Sequence, residues 1–133
     1  MTTLVDSSVL LAVITDDPVW ADRSGHAVAR AGNHGRLAIN PIVYAEISVG
    51  YDRIEDLDSA VPEASFDRLP LPWAAVFLAG KCLATYRRAG GARRSPLPDF
   101  YIGAHAAVEG LTLLTRDARR YRTYFPRLAL VTP

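Results

Sequence analysis

Four acidic residues stand at positions where their carboxylates could be put to chemical use: Asp6, Glu46, Asp99 and Asp117. Asp6 ends an apolar run in Leu4–Val5–Asp6–Ser7–Ser8, and Asp117 follows another in Leu113–Leu114–Thr115–Arg116–Asp117. Asp99 opens a helical pattern after Ser95–Pro96–Leu97–Pro98. Each of these three has an alternative reading, since Asp is a favoured helix cap. Glu46 lies inside Pro41–Ile42–Val43–Tyr44–Ala45–Glu46–Ile47–Ser48–Val49, a helical stretch apolar on nearly every side, where Ile42, Glu46 and Val49 are expected to share a face. A glutamate there either points outward or is buried at a cost of several kcal/mol unless a cation or donors compensate it.

Two carboxylates about 4 Å apart repel by about 4 kcal/mol at an effective dielectric near 20. Four acids gathered at one edge therefore call for cations between them. Oxygen-only ligands favour Mg²⁺ or Mn²⁺ over zinc, and one or two such ions can serve the site, two of them balancing four carboxylates in formal charge. A pair of such ions activates water, neutralises a scissile phosphate and stabilises the leaving oxygen.

The elements that must bring these acids together alternate between strand and helix. Short apolar runs bounded by turn residues predict strands at Thr3–Val5, Leu37–Asn40, Asp67–Leu69, Thr112–Leu114 and Leu128–Val131. Helical patterns cover Trp20–Ala31, Pro41–Tyr51, Pro72–Ala89 and Asp99–Glu109, with shorter ones after Ser8, near Glu55–Val61 and after Asp117. Pro41 and Pro72 suit first helical turns. This alternation implies an α/β/α three-layer sandwich on a mostly parallel sheet of about five strands, joined by right-handed crossovers. Ligands in such folds bind beyond the carboxyl ends of the strands, where three of the four acids fall. The segment from Gly90 to Pro98, with two glycines, two arginines and two prolines, is read as a mobile connector.

The chain has 133 residues, half of them apolar, enough for one domain spanning residues 1–133. A formal charge of +1, from 15 basic and 14 acidic residues, gives no global pull on a polyanion. Any polyanion must be held by a local patch or through metal. Arg93 and Arg94 before Asp99, and Arg116, Arg119 and Arg120 around Asp117, are the candidates for that patch. Cys82 is the only cysteine, which excludes an internal disulfide and a thiolate zinc site and suits a reducing cytoplasm. It reads as a small core residue. With no apolar run near the length of about 20 residues needed to cross a bilayer, the chain is expected to be cytoplasmic and not membrane-bound. His26, His34 and His105 show no metal-ligand spacing and read as structural. Trp20, Trp73, Phe77 and Tyr86 read as core or interface residues rather than base-stacking platforms.

In their order along the chain, these four segments resemble those of PIN-domain nucleases, most closely the VapC-like toxins of bacterial toxin–antitoxin pairs. The likeness runs nearly end to end. It implies metal binding and catalysis by Asp6, Glu46, Asp99 and Asp117, with supporting roles for Ser8 and Thr115. It also implies cleavage of RNA, often tRNA or ribosomal RNA, a homodimer, and a cognate antitoxin that blocks the acidic groove. Where the family often has a further acid near the last aspartate, this chain has Arg116, Ala118, Arg119 and Arg120. The second metal is accordingly expected to bind weakly or with substrate.

Three other functions fit the residues less completely. The first is a catalytically inactive PIN-like module that grips RNA or protein, with its carboxylates capping helices. An aspartyl-nucleophile phosphotransferase is disfavoured by Ser8, where a second aspartate is usual. A phosphate-acceptor signalling domain lacks both an acid pair at the first strand and a suitably placed lysine, Lys81 being the only one.

Overall fold

Thr3, Leu4 and Val5 are all buried, although consecutive strand residues point to opposite faces of a sheet. A strand apolar on both faces has to be covered on both, and the computed structural model, which describes residues 1–133, shows that arrangement. Five strands form the sheet: β1 (Thr2–Val5), β2 (Arg36–Ile39), β3 (Phe66–Arg68), β4 (Thr112–Leu114) and β5 (Leu130–Val131). They are ordered β3-β2-β1-β4-β5, and every pairing is parallel. Leu4 pairs with Ala38 on one side and Leu113 on the other.

Seven helices connect and flank the strands: α1 (Ser7–Ile14), α2 (Ala21–His34), α3 (Pro41–Ser48), α4 (Ile54–Ala60), α5 (Trp73–Arg88), α6 (Pro98–Glu109) and α7 (Ala118–Tyr124). The expected three-layer α/β/α architecture is present, with the sheet wholly rather than mostly parallel. None of the helices is long and apolar enough to cross a membrane. One contiguous apolar cluster runs from β1 and β4 out to Val43 and Ile47 of α3, Cys82 of α5, and Phe100 and Ile102 of α6.

Several elements are shorter than their residue patterns predict. Helix α3 stops at Ser48 as the chain turns through Gly50, and Val49 is 90% exposed. The predicted face of Ile42, Glu46 and Val49 is corrected at Val49 alone: Val43 and Ile47 point to the core, and Ile42 and Glu46 stay half-buried on the flank. β5 is two residues rather than four, since only Leu130 and Val131 pair with β4. Trp73 and Phe77 are exposed on α5, so neither is a core residue. Cys82 is buried as expected. His105 is buried too, its Nδ1 3.0 Å from the amide of Asn40, whose carbonyl oxygen caps α3 at Val43.

Two glycines let α6 sit where it does. Gly110 ends the helix in a left-handed conformation at φ +65° before the chain enters β4. Gly103 faces α7, and a Cβ there would overlap the ring of Phe125 and lie 3.0 Å from the Tyr121 ring. Its missing side chain allows the close approach of α6 and α7. Gly103→Ala should therefore destabilise the fold by about 1–3 kcal/mol by overpacking, even though alanine favours helix. Urea denaturation tests this; a variant as stable as the parent would show that the α6–α7 contact is slack.

Candidate active site

The strand order reverses about β1, whose neighbours β2 and β4 lead to opposite ends of the sheet. Asp6 emerges from the carboxyl end of β1 at that point, and its backbone amide donates to Leu114 of β4 at 2.9 Å. Although it stands in the N-cap position of α1, its side chain caps no helix amide. Instead Oδ2 accepts from Thr115 at 2.7 Å and from Ser8 at 3.0 Å. These hydroxyls are themselves fixed: Thr115 Oγ1 accepts from the amide of Asp117, and Ser8 Oγ from that of Arg116. Asp6 is thus held at 2% exposure by neutral donors alone.

Glu46 reaches the same place from α3. Its Oε1 accepts from Ser7 at 2.8 Å, and the same hydroxyl lies 3.5 Å from Asp6 Oδ1. Ser7 therefore links two of the acids, a role that reading the sequence missed. Its place in the strand-to-helix turn beside Asp6 was the only available signal.

Asp99 lies in the first turn of α6 without capping it. Its Oδ2 accepts from Arg120 at 2.7 Å and its Oδ1 from the Tyr121 hydroxyl at 3.3 Å, both donors belonging to α7. Tyr121 was also missed, since an aromatic residue in a short helix gives no sign of facing an acidic site. Asp117 occupies the N-cap position of α7, is exposed, and again makes no capping bond.

The electrostatics tie three acids together. Burial pushes the Asp6 carboxyl above its ordinary value of 3.8, opposed by the Thr115 and Ser8 hydroxyls and reinforced by the charge of Asp99. Burial likewise raises Glu46, against the Ser7 bond and with help from Asp6 and Asp99. The Tyr121 phenol is pushed far up by burial and by the charges of Asp6 and Asp99, which keeps it a proton donor. Asp117 stands at the margin, its charge felt by Arg120.

This donor set fits a hard divalent cation in chemistry and charge: carboxylate oxygens only, two of the groups pushed above their ordinary pKa by burial and by the charges of neighbouring acids. As the side chains stand, no three acids converge on one point. In this arrangement both Asp99 oxygens are taken by α7 and Glu46 accepts from Ser7. The largest surface hollow, about 440 Å³, is lined by Ile39, Asn40, Tyr44, Arg68 and their neighbours rather than by the acids.

The five arginines expected to face RNA divide into three groups. Arg93, Arg94 and Arg119 are exposed and make no ion pair. Arg116 is half-buried, its guanidinium stacked 4.5 Å from the Trp20 ring centre. Arg120 is bound to Asp99.

Comparison with known proteins adds to this geometry. The sequence model of the PIN domain matches residues 3–126. Among solved structures, the chain is similar to VapBC2 from Rickettsia felis bound to a DNA fragment from its promoter, with TM-score 0.76, 20% identity, and 100% of this chain and 99% of that one covered. VapBC-1 from nontypeable Haemophilus influenzae gives TM-score 0.73 at 18% identity, covering 99% and 98%. A toxin–antitoxin complex from Klebsiella pneumoniae gives 0.71 at 20% identity, covering 98% and 97%. At such identities these likenesses concern the fold. No curated protein matches.

The raised Asp6 carboxyl has a consequence for stability. A carboxyl whose pKa is higher in the fold than in the unfolded chain favours the fold while protonated, so stability is lost as pH rises from about 3.9 through the folded value. At neutral pH the charge of Asp6 is a burden. Asp6→Asn, in the presence of chelator, should raise stability at pH 7 by about 1 kcal/mol and remove that part of the pH dependence. Thermal denaturation at pH 5 and pH 7 measures it; a variant much less stable at both would mean that Asp6 serves the fold.

Proposed function

Because the chain belongs to the PIN-domain family, matching it from residue 3 to residue 126, we propose that it is a metal-dependent endoribonuclease and the toxin of a toxin–antitoxin pair. What carries this reading is that neither Asp6 nor Asp117, each in a helix N-cap position, makes a capping bond, and that Asp99 in the first turn of α6 bonds to α7 instead. Capping was the structural alternative for all three. Freed from it, these carboxylates and Glu46 are the residues that would hold Mg²⁺ or Mn²⁺. When bound, such an ion supplies positive charge to the scissile phosphate and a more acidic attacking water.

The protein's own part is positioning. Thr115 and Ser8 orient the Asp6 carboxylate without neutralising it, and Ser7 does the same for Glu46. Asp6, Asp99 and Asp117 all sit at helix N-termini, whose dipoles favour both the carboxylates and an incoming phosphate. Exposed Arg93, Arg94 and Arg119 supply cations for the flanking backbone of an RNA. Tyr86 stacks edge-on against Phe100 of α6, and Arg87 and Arg88 follow it at the basic end of α5.

An open acidic edge suits a polymer substrate, and structured RNA such as tRNA or ribosomal RNA is the class proposed. The resemblance in fold to VapBC and toxin–antitoxin complexes supports an antitoxin partner. The exposed Trp73 and Phe77 on α5 offer apolar surface for that partner or for a homodimer. An RNA substrate and a free cysteine suit the cytoplasm. The second reading, an inactive binding module, is favoured only by the Arg120–Asp99 ion pair, which leaves one acid already neutralised.

Purified protein should cut structured RNA with Mg²⁺ or Mn²⁺ and stop when the ions are chelated. Asp6→Asn, Glu46→Gln and Asp99→Asn should each lower the rate by about 10²-fold or more. Thr115→Val should weaken Mn²⁺ binding by about 10-fold through loss of support to Asp6. Cleavage that survives both chelator and Asp6→Asn would refute the proposal.

A further inference from the structure

We infer that Arg120 is a built-in counter-ion of the acidic site, which holds Asp99 until a divalent cation displaces it and is then free to bind an RNA phosphate. This rests on the reading of the acids as cation ligands. Of the chain's arginines, Arg120 alone touches one of the four acids. Its guanidinium meets Asp99 Oδ2 at 2.7 Å, while Tyr121 takes the other oxygen. The negative charge of Asp117 adds to the pull, so Arg120 lies under the influence of two of the four carboxylates.

The two donors from α7 differ in how they are anchored. Tyr121 is buried against the close approach at Gly103 and cannot leave without disturbing that packing. Arg120 has a side chain 62% exposed and reaches in to an Asp99 that is 16% exposed. Withdrawal of its guanidinium costs only an ion pair at the rim, where such pairs are weak. Tyr121 thus keeps Asp99 in place while Arg120 departs.

Competition and coupling follow from this arrangement. Arg120 has to give up Asp99 before that carboxylate can share a cation with Asp6, so the site binds divalent ions more weakly than its acids alone would. A phosphate that captures the freed guanidinium removes the competitor, and RNA and cation then favour each other's binding. None of the other proposed RNA-facing arginines does this: Arg116 lies against Trp20, and Arg93, Arg94 and Arg119 have no carboxylate partner.

Calorimetric titration of the full chain with Mn²⁺, without RNA, tests the competition. Arg120→Gln should bind Mn²⁺ about five-fold more tightly than the parent. Arg120→Lys, which keeps the charge, should stay close to it, and so should Arg122→Gln, which removes an equal charge two residues away. In RNA cleavage, Arg120→Gln should show a raised KM despite its tighter cation binding. If the parent binds Mn²⁺ and Arg120→Gln binds it no more tightly, or Arg120→Lys gains as much as Arg120→Gln, the inference is overturned and the nuclease reading stands. If no form binds Mn²⁺, the nuclease reading itself fails, and the inference with it.

Discussion

A carboxylate buried at 2% exposure and surrounded by neutral hydroxyls is the constraint on which the rest of this molecule depends. Burying an anion is unfavourable unless donors or a cation compensate it. Here the donors come from two segments, Ser8 at the start of α1 and Thr115 after β4, and both are tied to backbone amides of the β4–α7 turn. The adjoining ends of β1 and β4 are thereby joined through one carboxylate. A basic residue in place of either hydroxyl would stabilise Asp6 better and leave it unable to hold anything else.

The same logic extends outward. Ser7 brings Glu46 in from α3, and α7 addresses Asp99 on α6 with two different donors, one buried and one at the rim. The missing side chain of Gly103 lets α7 pack closely enough for Tyr121 to reach. A core contact more than one helical turn from Asp99 is in this way part of the site's geometry. Removing Cβ at one position serves packing and site placement together.

Much of the architecture was legible from the residues, because short apolar runs and helical periodicity alternate plainly, and the parallel sheet follows from that alternation. Element ends were less so: Val49 continues the helical pattern of α3 in sequence, but the turn at Gly50 releases it to solvent. For the site, Asp6, Asp99 and Asp117 could be named from their places after strands and at helix starts, and Glu46 as an acid inside an apolar helix. Whether they cap those helices could not, since capping and ligation draw on the same residue type at the same position. Ser7 and Tyr121 carried no periodic signal, and Arg120 looked like any other arginine near Asp117. Only tertiary packing decides that its guanidinium turns inward to Asp99.

The central claim is that these carboxylates share a divalent cation. A crystal structure grown with Mn²⁺, with the ion located by its anomalous scattering, tests it most directly. Manganese should bind an oxygen of Asp6 and be shared with Asp99 or Glu46, with Arg120 withdrawn from Asp99. Manganese bound elsewhere, with Arg120 still on Asp99 and the Asp6 carboxylate contacting only its hydroxyls, would contradict it.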